Sequence, residues 1–270
     1  METIERYVRF LGADVRKPSL PYLRSLIRLH LERIPFENIS KIHYYLHRGR
    51  TGLIWLPPLE THLAGMEDRG LGGNCYVLNA HFGRLLQALG FQVDLVRAAG
   101  GNTHLALMVT VEGRSYYVDV GYGAPLFEPL LLEEQPRFTR FGEEVEITRL
   151  GDLRYLIDRR MNGQSFVAKC IEWQPVSLES FEEAITHSLR DEDENPFMRR
   201  ITATLFREGK AYSVINHKLL VKTDKGTEVH EYTRLSDWLD MLRATFGFQE
   251  DIVEEALDFL SSRGVDLFPA

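Results

Sequence analysis

Apolar residues recur at helical spacing through the first third of the chain and switch to alternation beyond it. Ile4, Tyr7, Val8 and Leu11 form one stripe, and Leu23, Leu26, Ile27 and Leu31 form another, with Pro21 near a helix start. Leu78, Phe82, Leu85, Leu86 and Leu89 make a longer stripe that ends at Gly90, where a glycine can take the left-handed conformation that stops a helix. This pattern predicts a bundle-like helical region over residues 1 to about 90. From about 91 to 172 the period becomes two, over Val93 to Arg97, His104 to Val111, Ser115 to Val120, Glu144 to Thr148, Arg154 to Ile157 and Ser165 to Ile171. Alternation of this kind predicts antiparallel strands, here read as a small β-barrel.

After Pro175 the pattern predicts a helix around Leu178 to Leu189, then a solvated acidic connection at Asp191-Glu192-Asp193-Glu194. Three strands are expected over Ile201 to Phe206, Tyr212 to Ile215 and Lys218 to Lys222, with Thr227 to Tyr232 as a fourth. Helices near Leu235 to Phe246 and Ile252 to Leu260 follow. No internal repeat or low-complexity tract is present.

Composition narrows the partners without naming a function. Of the 270 residues, 44% are hydrophobic and 26% charged, as in ordinary soluble globular proteins. The net charge of −7 and the lack of a basic stretch interleaved with aromatics argue against nucleic acid. The N-terminus is charged from the outset, unlike a signal peptide, and no apolar run approaches membrane-spanning length, so no membrane partner and a cytoplasmic location are expected. Two cysteines, Cys75 and Cys170, make neither a disulfide framework nor a zinc site, and no metal is expected.

Candidate chemistry gathers at Cys75, which follows Gly72-Gly73-Asn74 and opens the long helical stripe. The stripe places the thiol toward the interior, at a helix N-terminus that favours the anion. His104 opens the second strand of the β region, and its hairpin partner carries Asp119. If Glu112-Gly113 is a two-residue turn, Val111 faces Arg114 and Ala106 faces Asp119, so His104 and Asp119 become diagonal neighbours on one face. Such diagonals lie roughly 7–8 Å apart at Cα, a span that an imidazole and a carboxylate close with one hydrogen bond. A turn of odd length would put them on opposite faces. A thiol, an oriented imidazole and a carboxylate suit acyl transfer through a thioester, with backbone N–H groups around Gly73 to Tyr76 as oxyanion donors.

These residues sit in four ordered blocks that resemble the arylamine N-acetyltransferase family. Ile34-Pro35-Phe36-Glu37-Asn38 is similar to the family's early Pro-Phe-Glu-Asn block, and Gly72-Gly73-Asn74-Cys75-Tyr76 with Asn79 to its nucleophile motif. His104-Leu105-Ala106-Leu107 resembles the histidine strand, and Val118-Asp119-Val120-Gly121-Tyr122-Gly123 the aspartate motif. The resemblance implies an α+β fold with a helical bundle (1–90), a central antiparallel β-barrel (91–190) and a C-terminal α/β lid (191–270) around a cysteine-protease-like core. It implies a Cys75-His104-Asp119 triad and ping-pong transfer from acetyl-CoA to an arylamine or hydrazine. Tyr122 and Phe36 then belong to the acceptor side. A CoA cleft is expected between barrel and lid, with the Gly-rich loop Ala98 to Thr103 contributing Gly101 and Thr103.

The chain departs from the family pattern at Leu71, where Arg is usual, at Val77, where Glu is common, and in the shortness of the link before His104. Two other classes share the same residues: a hydrolase or transamidase of the papain and transglutaminase type, and a non-catalytic member that keeps the fold for binding. Bland roles are assigned elsewhere. Glu37 and Asn38 read as a buried hydrogen-bonding pair, Cys170 as a packed strand residue, and the histidines other than His104 as lacking convergent partners.

Overall fold

The computed structural model describes residues 2–269. Its first part is helical: α1 (Glu2–Phe10), α2 (Leu20–Arg33), α3 (Ile39–His47), the short α4 (Gly52–Trp55), α5 (Leu59–Arg69) and α6 (Cys75–Ala88). Start signals in the sequence act as expected. Ser19 caps α2 by accepting from the Tyr22 N–H at 3.3 Å, with proline in the first turn. Leu89 ends α6, and Gly90 follows with φ +92°. The apolar stripe understates this helix, because Cys75 to Gly83 are all buried. α6 is the central helix, packed on one side by α1 and on the other by the first two strands of the large sheet.

The large sheet contains β2 (Gln92–Gly100), β3 (Asn102–Val111), β4 (Arg114–Val118), β5 (Arg137–Arg140), β6 (Glu143–Gly151), β7 (Arg154–Met161) and β8 (Gln164–Val176). A two-residue β1 (Phe36–Glu37) precedes them in the chain. The seven strands are antiparallel in the order β4-β3-β2-β8-β7-β6-β5. The expected barrel is therefore a curled open sheet, since the edge strands β4 and β5 do not pair. The reason lies in β4, which stops at Val118 where the chain turns away to build Asp119 to Gly123. The sequence also missed β5 and stopped β8 too early. Pro175 lies inside β8, beside a register shift opposite Leu95 and Arg97 where its missing N–H costs no ladder bond.

Two hairpins set the site. Glu112 (φ 55°) and Gly113 (φ 76°) form the two-residue turn with both φ positive, and Val111 faces Arg114 through to Leu107 facing Val118. The register worked out from the sequence holds. The stretch from Ala98 to Thr103 is not the loop expected: Ala98 pairs His104, Ala99 pairs Thr103 and Gly100 pairs Asn102, leaving Gly101 alone at the turn.

Beyond β8 come a 3₁₀ turn (Leu178–Phe181), α7 (Glu182–Ser188) and a second antiparallel sheet ordered β1-β9-β10-β11-β12. Its strands are β9 (Thr202–Arg207), β10 (Lys210–Ile215), β11 (Lys218–Thr223) and β12 (Gly226–Glu231), and α8 (Leu235–Phe246) and α9 (Glu250–Ser261) close the fold. β1 joins this sheet from far upstream by pairing with β9. Asn38 strengthens the join: its side chain donates to the carbonyls of Phe197 and Arg200 and accepts from the Thr202 N–H at 2.8 Å. The acidic stretch is exposed, with Asp191 paired to Arg199 and Arg263 and Asp193 paired to Arg199. No described helix is long and apolar enough to cross a membrane.

Candidate active site

Cys75 is the first residue of α6, and its loop is fixed from both sides. The Asn74 side chain caps the helix by accepting from the N–H groups of Tyr76 (3.1 Å) and Val77 (3.3 Å). The Glu37 N–H donates to the Gly73 carbonyl at 3.0 Å, and the Gly73 N–H donates to the Pro35 carbonyl at 3.3 Å. Of the expected oxyanion donors, Gly73 and Tyr76 are thus engaged elsewhere. The N–H groups of Asn74 and Cys75 have no partner among the described residues. The thiol is buried and unpaired with Cys170.

His104 and Asp119 meet as the hairpin register requires, with Nε2 of the ring 2.7 Å from Oδ2 of the carboxylate. That leaves Nδ1 on the other edge of the ring, and Cys75 lies near enough to raise the pKa of the imidazole. Sulfur, ring and carboxylate converge inside the protein. Asp119 holds its position through three further donors: the Tyr117 hydroxyl on Oδ2 (2.7 Å), and the Asn79 amide (2.8 Å) and Gly121 N–H (3.0 Å) on Oδ1. Asn79, one turn along α6 from Cys75, also donates to the Leu105 carbonyl (2.7 Å) and accepts from the Val120 N–H (2.9 Å). One amide therefore ties the nucleophile helix to both strands. Gly121 allows the close approach, since a Cβ there would lie 2.6 Å from the Cys75 Cα.

The electrostatics favour a charged imidazole. Burial alone disfavours a charge on His104, but the Asp119 carboxylate and the Cys75 sulfur outweigh it and push the ring up to about 10. Burial likewise opposes the Asp119 anion, yet the charge of His104 and the hydrogen bonds hold it below the usual carboxylate range. Two buried lysines lie close enough to feel the Cys75 charge. Desolvation drops Lys41 to about 7, with a single bond from Nζ to the Ser188 carbonyl at 2.6 Å. Desolvation also lowers Lys169, whose ammonium closes the β2–β3 hairpin by donating to the carbonyls of Gly100 and Asn102 and to the Asn102 side chain.

The remaining predicted residues fall at different distances from this centre. The Tyr122 ring lies 4.9 Å from the His104 ring, and its hydroxyl is buried without a partner. Phe36 is half-buried, with its ring against Gly123. The Thr103 carbonyl accepts from the Tyr76 hydroxyl at 2.8 Å, which places it beside the nucleophile's neighbour. Gly101 stands apart at an exposed hairpin tip, with open space where a side chain would begin. Sequence reasoning missed Arg159 and Glu143. Arg159 donates to both Glu143 oxygens (2.6 and 3.0 Å) and to the carbonyls of Tyr122 (2.8 Å) and Gly123 (2.9 Å), clamping the turn that carries Tyr122. As exposed-looking charges on two alternating strands they gave no local signal.

The departures from the family pattern have a structural answer. Leu71 is a buried core residue, and Arg69 turns instead to Asp251 on α9. Glu37 is satisfied without a cation, accepting from the N–H groups of Gly72 (3.1 Å) and Ser40 (2.9 Å). The view that the other histidines lack partners is wrong. His62 and His81 stack at 4.7 Å in the core, and His43 and His47 converge on Glu255. They escaped notice because their partners are distant in sequence.

Comparison with known proteins bears on this geometry. A family model described as N-acetyltransferase matches residues 19–253. An arylamine N-acetyltransferase of Mycolicibacterium smegmatis is 27% identical over 269 residues, covering 89% of this chain and 90% of its own. In fold, the chain is similar to the Mycobacterium marinum arylamine N-acetyltransferase in complex with CoA, with a TM-score of 0.79 at 20% identity, covering 97% and 99% of the two chains. A Bacillus cereus arylamine N-acetyltransferase described as having a Cys-His-Glu catalytic triad gives a TM-score of 0.75 at 16% identity, covering 92% and 99%. With the family model spanning most of its length, and helices and antiparallel sheets arranged as in these proteins, the chain belongs to the arylamine N-acetyltransferase family of enzymes.

Proposed function

We propose that this chain moves an acetyl group from acetyl-CoA to an arylamine, or a similar amine or hydrazine, through a thioester on Cys75. The observation that carries the reading is the buried His104–Asp119 bond of 2.7 Å beside a thiol at a helix start. In the first half-reaction the Cys75 thiolate attacks the thioester carbonyl of acetyl-CoA. The new bond forms between the Cys75 sulfur and the acetyl carbon, the bond from that carbon to the CoA sulfur breaks, and the departing CoA thiolate takes a proton from His104. The N–H groups of Asn74 and Cys75 are the donors free to meet the transient oxyanion. In the second half-reaction the amine attacks the acetyl carbon, His104 accepts its proton, and the Cys75 thiolate leaves. Asp119 keeps the ring oriented and steadies its charge in both directions without itself taking the proton.

Tyr122 and Phe36, on either side of Gly123, are assigned to the acceptor side, where an aromatic amine would meet two ring faces. Thr103 and Gly101, on the hairpin beyond His104, are assigned to the CoA side. The test is intact mass after mixing with acetyl-CoA, alongside Cys75→Ala. One acetyl group should appear on the wild-type chain, be absent from the variant, and leave on addition of an arylamine. An unmodified wild type, or equal labelling of both proteins, would refute the proposal. Amide cleavage without any need for CoA would support the hydrolase reading instead.

A further inference from the structure

We propose that His43, His47 and Glu255 form a binding site for one borderline divalent cation, zinc or a congener such as cobalt(II), that ties α3 to α9. His43 and His47 are one turn apart on α3, so their imidazoles project from the same face, with ring centroids 4.6 Å apart. Glu255 reaches them from α9. Its Oε2 lies 2.7 Å from Nδ1 of His43, and its Oε1 contacts Nε2 of His47. The three ligand atoms all lie within 4.8 Å of one another. Three groups from two helices, each with a ligand atom within 4.8 Å of the others, make a three-ligand set that would leave the fourth position to a water.

An ion would need the side chains to adjust. Metal bonds of about 2.0–2.2 Å in a tetrahedron hold neighbouring ligands roughly 3.3 Å apart, so the two contacts to Glu255 open by up to about an ångström while the wider ligand separation, within 4.8 Å, closes toward the same value. His47 is free to supply that movement, because its side chain is 55% exposed. The surroundings are acidic. Glu255 also lines a surface groove of about 490 Å³ with Glu254, Asp258 and Asp251, of which Asp251 is paired with Arg69, and the arginine lining the groove, Arg263, is paired with Asp191. Two imidazoles with one carboxylate select zinc-like ions over calcium and magnesium, which prefer all-oxygen sites. The site is structural in its reach: α3 starts directly after the Glu37-Asn38 pair that holds the nucleophile loop to β9, and an ion would lock that helix to the C-terminal one.

The chelator-treated full chain, titrated with cobalt(II) and followed by visible absorption and thermal unfolding, tests the proposal. Cys75 is a competing ligand, so the titration is repeated with Cys75→Ala, and a sulfur-to-cobalt charge-transfer band in the near ultraviolet reports binding at thiol. The expected result is one equivalent bound in both proteins without that band, with a rise in unfolding temperature. Because outer-shell partners alone change metal affinity about 10–100-fold, loss of a direct ligand in His47→Ala should weaken binding at least about a hundredfold and abolish the thermal shift. His47 lies at the surface, so this variant should fold as the wild type does, and Glu255→Gln gives a second reading from the other helix. Absence of saturable binding, binding unchanged in His47→Ala, or binding lost in Cys75→Ala would each overturn the proposal and leave the cluster as an ion pair.

Discussion

Tyr117→Phe isolates one of the four contacts that keep Asp119 ionised. The side chain is 1% exposed, and its hydroxyl donates to Oδ2 at 2.7 Å, the same oxygen that receives His104. Phenylalanine keeps the ring and its packing, so the change is confined to the hydroxyl. A hydrogen bond to a charged acceptor contributes about 1.5–3 kcal/mol, part of which returns because no phenol is then desolvated, leaving a net loss of about 1–2 kcal/mol. The Asp119 carboxyl should therefore rise from its depressed value. The sign follows from its depressed value in the fold: such a carboxylate contributes stability above the unfolded carboxylate range and loses it as pH falls through the folded value. Raising the folded value brings that loss to higher pH. Because the Asp119 anion that orients His104 is lost sooner on acidification, the acid limb of Cys75 alkylation by iodoacetamide should lie at higher pH in the variant than in the wild type, with the plateau rate retained. Urea unfolding at pH 7 checks the energy. An unmoved acid limb together with unchanged stability would refute the role given to Tyr117, and collapse of the plateau would show that it does more than steady the carboxylate.

Gly121→Ala places a methyl 2.6 Å from the Cys75 Cα, and the overpacking should cost about 1–3 kcal/mol and slow acylation as the turn parts from α6; stopped-flow acylation at the wild-type rate would count against this. Lys41→Met removes a buried ammonium that desolvation holds at about 7 against an ordinary 10.5, a penalty of at most on the order of 4–5 kcal/mol from which the lost Ser188 bond subtracts. Because the unfolded chain binds this proton more tightly, the penalty is full below about pH 7 and fades as pH rises toward 10.5, so the variant should gain stability over wild type at pH 6 and lose that advantage by pH 10; denaturant melts at both values decide it. Arg159→Met strands the Glu143 carboxylate and should cost about 3–5 kcal/mol, most of it recovered in Arg159→Met with Glu143→Met; a double variant no better than the single would show that the bonds to Tyr122 and Gly123 dominate.

What the sequence displayed was the local part of the site. The His104–Asp119 relation followed from a two-residue turn because pairing parity in a hairpin is fixed within a few residues. The start of α6 was equally readable, since a cap is a contact between a side chain and N–H groups two and three positions on. Everything set by distant partners was hidden. Asn79 stood in a motif, but its bridge to Leu105, Asp119 and Val120 depends on how a helix lies over a hairpin. Arg159 and Glu143 looked like surface charges because alternation marks one strand face as polar, and only the curl of the sheet turns that face inward over Tyr122. The barrel was overdrawn for the same reason: most of the strands are legible, but whether the edges meet depends on twist and on where β4 ends.

The segment Pro35 to Asn38 explains how the nucleophile loop tolerates Leu71. Its backbone bonds on both sides of Gly73 fix the loop by main-chain contacts, which no side-chain change at position 71 removes. The Glu37 carboxyl spans the Gly72 and Ser40 N–H groups, and burial pushes its pKa up more than those hydrogen bonds bring it down. The two N–H donors meet the carboxyl where an arginine would otherwise stand, so no cation is required beside it. The apolar side chain at 71 then packs in the core where a charged one would need a partner. The same short segment continues through Phe36 and Glu37 into β9 and through Asn38 to Thr202, so the second sheet is anchored to the loop that carries Cys75.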